Sequence, residues 1–161
     1  LPFSVMLLAQ FAVAQAVLQP EQVKLLEGKW QGELVVYNPK NGQPRSLGSE
    51  MVFTGVGERR WRIGFGNATA PAANKMSSWA LSDDGATCNK QAVVEVKEHG
   101  ADSVRFVLQE DGMESTTPAR IRTTYTVGTS TCTIRKEVLP IAEAEKADGS
   151  FAVRQEYRLR R

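Results

Sequence analysis

Five features of the 161-residue chain invite a chemical reading: a single histidine, two cysteines, two glycine pairs, an Asp-Asp step and one lysine set among apolar neighbours. His99 sits in the turn Glu98-His99-Gly100, where a solvated loop residue is the ordinary outcome, and nothing nearby recommends a serine or cysteine as its nucleophile. Gly55-Val56-Gly57 and Gly64-Phe65-Gly66 lack the third glycine and the strand-to-helix setting of a phosphate loop, so bends or bulges account for them. Asp83-Asp84 reads as turn chemistry, and Asn67-Ala68-Thr69 fits a glycosylation sequon that three residues match easily by chance. Two cysteines and one histidine do not make a familiar zinc set. The expectation is a protein without a catalytic site, a metal or a cofactor.

Cys88 and Cys132 are an even pair, open to two readings: one disulfide in an oxidising compartment, which is the preferred one, or two buried thiols. The compartment is suggested by the run from Phe3 to Ala14, which is uncharged and carries Phe3, Val5, Met6, Leu7, Leu8, Phe11 and Val13 before Ala14-Gln15-Ala16. An apolar stretch of that length ending in A-x-A is how a secretory signal closes. Residues 1–16 are therefore expected to be a signal peptide whose start is missing, and 17–161 one exported domain, periplasmic or secreted. The run falls short of the ~20 apolar residues a spanning helix needs. A net charge of +2, from 20 basic and 18 acidic residues, provides no footprint for nucleic acid.

After Pro20–Glu27, which reads as a short helix stopped by Gly28, the chain is β in character. Alternating segments separated by Asn38-Pro39-Lys40-Asn41-Gly42, Asp83-Asp84-Gly85, His99-Gly100, Asp111-Gly112, Gly128 and Asp148-Gly149 predict about eight or nine short antiparallel strands in an up-and-down barrel. Trp61, Ile63 and Phe65 share one strand face, as do Trp79 and Leu81.

The final strands permit a register. Symmetric pairing sets Tyr125 opposite Ile134, Ile121 opposite Val138 and Arg122 opposite Glu137. Keeping Phe151, Val153, Tyr157 and Leu159 inward and matching opposite charges then sets Val138 beside Val153, Ile134 beside Tyr157, Lys136 beside Gln155, Glu137 beside Arg154 and Arg135 beside Glu156. Thr123, Lys136 and Gln155 thereby form a polar row on an otherwise apolar inner face. An inward lysine needs either a partner or water at an open end. A ligand's anionic or carbonyl head group is one candidate for that partner.

Gly28-Lys29-Trp30, entering the first strand after a short helix, resembles the G-x-W signature of lipocalins and the wider calycin group. LEGKWQGELVVY and TYTVGTSTCTIRKEVLP…VRQEYRLRR look like exported bacterial lipocalin-like proteins whose function is not established. The resemblance implies a tryptophan plugging the closed end of a barrel, with Arg158 or Arg160 packed over it. Two functions remain open. One is a non-catalytic barrel binding a small, mainly hydrophobic ligand among Trp61, Phe65, Trp79, Tyr125 and Tyr157, with Lys136 and Gln155 as polar anchors. The other is an envelope or secreted interaction domain with a packed core, working through a sheet face or the Pro140–Ser150 loop.

Overall fold

The computed structural model describes residues 15–161 except 145, 147 and 148. A helical turn, α1 (Pro20–Lys24), leads into ten strands: β1 (Gly28–Tyr37), β2 (Pro44–Gly57), β3 (Arg60–Gly66), β4 (Ser77–Ala80), β5 (Thr87–Cys88), β6 (Gln91–Glu98), β7 (Val104–Glu114), β8 (Thr117–Val127), β9 (Thr131–Pro140) and β10 (Ala152–Arg160). A 3-10 turn, Ala72–Lys75, precedes β4, and a four-residue helix, α2 (Ile141–Ala144), follows β9.

All strands pair antiparallel in one sheet ordered β4-β3-β2-β1-β10-β9-β8-β7-β6-β5. A single bridge between Leu81 and Cys88 joins its two ends, and the result is a nearly closed barrel. Two expectations change here. There are ten strands rather than eight or nine, because Thr87–Cys88 is too short to show an alternation and exists only where the cylinder meets itself. The helix expected over Pro20–Glu27 is reduced to five residues, with Leu25 and Leu26 in a turn.

The β8–β9 hairpin has the expected register, Tyr125 with Ile134, Ile121 with Val138 and Arg122 with Glu137. Between β9 and β10 the pairs Ile134–Tyr157, Lys136–Gln155 and Arg135–Glu156 form as expected. A bulge then shifts the ladder, so Ala152 lies opposite Val138 and Val153 opposite Glu137. The expected Val138–Val153 and Glu137–Arg154 pairs are therefore absent, and Val153 leaves the inner face. Phe151 leaves it too, its ring lying 4.1 Å under the Arg122 guanidinium. Arg154, the unpaired residue of the bulge, instead meets Glu114 at 2.7 Å, at the tip of the β7–β8 hairpin.

The core occupies the α1 end of the barrel. Trp30, Met51, Phe53, Trp61, Phe106 and Leu108 are essentially without solvent exposure, and Leu18, Val23 and Leu26 pack into the same cluster from the segment before β1. Where β1 meets β10 the two backbones come close at Gly32, where a Cβ would run into the Arg158 carbonyl.

Candidate functional site

One end of the barrel is shut by local and long-range bonds acting on a single tryptophan. Trp30 donates its indole N–H to the Leu26 carbonyl at 2.8 Å, and the Arg161 guanidinium lies 4.2 Å over its ring. Arg161 also donates to the carbonyls of Glu27 (2.6 Å), Thr129 (2.7 Å) and Leu25 (3.3 Å), tying β10 to the α1 turn and the β8–β9 loop. Five planar donors in a rigid fork suit arginine to this task. The covering residue is thus Arg161, not Arg158 or Arg160: Arg158 turns outward to Glu156 and Glu33, and Arg160 is exposed.

Immediately inside lies a set of touching rings. Trp61 and Trp79 meet edge to face with centroids 5.7 Å apart, Phe53 contacts both, and Tyr125 stacks on Phe106 at 4.7 Å. Trp61 also donates to the Glu27 carboxylate at 2.8 Å. Among the expected ligand-lining residues, then, Trp61, Trp79 and Tyr125 belong to a filled floor. Burial raises the Tyr125 hydroxyl far above its ordinary pKa, so it stays neutral.

The other four expected site residues, Phe65, Lys136, Gln155 and Tyr157, are half-buried. Phe65 and Tyr157 stack at 4.5 Å. Their strands stand three places apart in the sheet, roughly 14 Å along the wall, so the stack crosses the lumen. Above it, directly opposed residues share a face: Val36 lies opposite Arg45 on one side and Gln155 on the other, Gln155 opposite Lys136, and Lys136 opposite Thr123. This row separates the main core from a small cluster of Ala119, Ile121 and Val138 nearer the rim. Among the described residues no carboxylate lies within ion-pair distance of Lys136.

What the strand alternation did not disclose is the apolar wall beside that row. Leu34 and Leu47 are directly opposed on the face that carries Trp30 and Met51, and Val36 follows two residues on. Leu47 is 42% exposed and Val36 37% exposed, although both face inward. Both lie at the end of the β1–β2 hairpin, where residues 38–48 are exposed, beyond the packed core that reaches the Phe65–Tyr157 stack.

Cys88 and Cys132 are both buried in the core cluster and both are free thiols, so the expected disulfide is absent. They enter from β5 and β9, four places apart in the sheet order, a relation that spacing along the chain does not reveal. Burial pushes the Cys132 thiol up to about 12 and raises that of Cys88 further, which makes both unreactive.

Among the described residues there is no helix long and apolar enough to cross a membrane, and no group of three or more His, Cys, Asp or Glu placed to hold a metal ion. The signal-peptide reading falls on residues 1–16, of which 1–14 lie outside the described residues. Comparison with protein-family models, curated proteins and solved structures found no significant match.

Proposed function

We propose that this is an exported, lipocalin-like barrel that binds a small, mainly apolar molecule at the open end of its lumen, without catalysis. The observation that carries the reading is the solvent exposure of Val36 and Leu47 on the lumen face. Leaving two such side chains wet forgoes ~25 cal/mol for each Å² that an apolar occupant would cover. In this reading Phe65 and Tyr157 would supply the site's aromatic floor, and Lys136 and Gln155 its polar contacts. Two observations support the lipocalin-like assignment: Gly28-Lys29-Trp30 enters β1 from the α1 turn, and an arginine lies over the tryptophan. Export rests on the run from Phe3 to Ala14 and the Ala14-Gln15-Ala16 step.

The test is displacement of an environment-sensitive apolar dye from the whole chain by small apolar molecules. Leu47→Glu and Val36→Glu lie on exposed parts of a hairpin and leave the fold intact; each is expected to abolish dye binding. Dye binding that never occurs, or that survives in both variants, refutes the reading.

A second reading has one observation in its favour. The outer wall carries a depression of about 320 Å³ lined by Arg105, Thr124, Thr126, Thr133, Arg135 and Glu137. An interaction domain would use such a face, and retained partner binding by the two glutamate variants would favour it.

A further inference from the structure

The hollow on the outer wall arises from side-chain length. Arg105, Thr126 and Thr133 stand side by side across β7, β8 and β9, and Thr124 and Arg135 stand side by side one step farther from the α1 end. Each lies one residue off the buried Phe106, Tyr125 or Ile134, and so on the other face of the sheet. Three short threonines thus adjoin one another inside a border of Arg105, Arg135 and Glu137, and the depression of about 320 Å³ is the space they leave. No apolar side chain lines it.

Charge around the hollow is unevenly paired. Glu95 serves both Arg105 and Lys97, so the β6–β7 side keeps one positive charge in excess. Arg135 donates its Nε–H to Glu156 at 2.5 Å, which uses one of the five donors of its guanidinium. Glu137 is the excess carboxylate. The residue directly opposite it, Arg122, is drawn away to Gln109 at 2.9 Å and over the Phe151 ring at 4.1 Å. Among the described residues no cation lies within ion-pair distance of Glu137. Arg105 and Glu137 stand two strand spacings and four residues of strand apart, roughly 16 Å between Cα atoms, with the threonine floor between them.

We propose that this hollow binds a small zwitterion of dipeptide size, its carboxylate on Arg105 and its ammonium on Glu137. A simple anion would be drawn by Arg105 and repelled by Glu137, and a simple cation the reverse; only a ligand with both charges answers both ends. Hydroxyls that donate and accept, together with the remaining donors of Arg135, suit the N–H and C=O of a peptide group lying between. An extended residue spans ~3.3–3.6 Å, so two residues match a hollow whose volume equals that of a cube about 7 Å on edge. The site shares no residue with the lumen, so it stands or falls apart from the reading above.

The experiment is a heteronuclear NMR titration of the full chain with glycylglycine, N-acetylglycylglycine, glycylglycinamide and acetate. Half-exposed ion pairs are individually weak, so selectivity should need both ends: glycylglycine is expected to bind at least ~5-fold more tightly than each of the other three. Glu137→Gln should bring it down to the level of its N-acetyl form, and Arg105→Gln to that of its amide. Thr126→Met, which fills the hollow from an exposed position, should abolish binding. Unchanged amide signals of Trp30 and Phe106 report an intact core in each variant, and the four-ligand comparison on the parent chain is decisive even where a variant fails to fold. Acetate binding as tightly as glycylglycine, a preference that survives both glutamine variants, binding that survives Thr126→Met, or no binding of glycylglycine overturns the proposal.

Discussion

The rings of Phe65 and Tyr157 stack at 4.5 Å with an interplanar angle of 28°, although β3 and β10 are separated by two intervening strands. The pair works as a crosspiece packed against the main core cluster. Each half-buried ring cut back to alanine should cost about 1–3 kcal/mol in urea denaturation. The double variant should reveal a coupling of roughly 0.5–1.5 kcal/mol, and additivity within error would mean the rings do not support one another.

Arg161 makes three carbonyl contacts and covers Trp30. Arg161→Ala should lower stability by about 2–3 kcal/mol and change the Trp30 fluorescence, and lysine should recover less than half the loss because it has no fork to reach three carbonyls. Arg160→Ala is expected to stay within about 0.5 kcal/mol of the parent. Equal losses at the two positions would contradict the assignment.

At Gly32 a methyl group would press on the backbone of β10 rather than on a movable side chain. Gly32→Ala should therefore cost about 1–3 kcal/mol, against a few tenths at exposed Gly48, where nothing stands within 4 Å. Thermal unfolding of the two variants side by side decides the matter.

Glu156, 4% exposed on the outer wall, accepts from Arg135 at 2.5 Å and from Arg158 at 2.6 Å. Burial alone would raise its carboxyl, but the hydrogen bonds from Arg158 and Arg135 outweigh it and hold the group below the usual glutamate range. A lowered folded pKa stabilises the protein above the unfolded value, ~4.3, and that stability is lost as pH falls through the folded value. Glu156→Gln should thus be less stable than the parent by about 1–3 kcal/mol at neutral pH, with the gap narrowing below pH ~4. A gap constant from pH 7 to pH 2 would refute the pairing.

Buried thiols held as Cys–SH should resist alkylation in the native state. Iodoacetamide is expected to label neither Cys88 nor Cys132 until denaturant is added, and then both, without reductant. Two unlabelled cysteines in the denatured, unreduced chain would reveal a bridge.

Most of the wall was readable from alternation and turn residues, because side chains of period two declare their face wherever one side is dry. The hairpin from Ile121 to Val138 follows that rule, as do Tyr157 and Gln155. The bulge at Arg154 escaped because Phe151 and Val153 continue the apolar alternation while changing sides. Arg154, moreover, finds its partner in Glu114, forty residues away, rather than in the adjacent strand. Likewise β5 has no pattern of its own, and the choice among Arg158, Arg160 and Arg161 depends on where β10 ends against the α1 turn. Alternation did not single out Val36 and Leu47, which the β1–β2 pairing puts on the inner face. It carried no information on whether anything lies opposite them, since filling is a property of the whole cylinder.

The pairing of β1 with β10 also fixes a timetable for assembly. Arg161 meets Glu27 across 134 residues, and Gln31 through Val36 hydrogen-bond to residues 155–160. Loop closure over such a span weighs on the folding rate more than on final stability. On the ribosome, β1 keeps one edge bare while β2 through β9 emerge, exposing a sticky flank that only the closing strand can cover. Conditions that slow synthesis of the final segment should therefore promote aggregation of this protein, even though the finished barrel has little edge to offer.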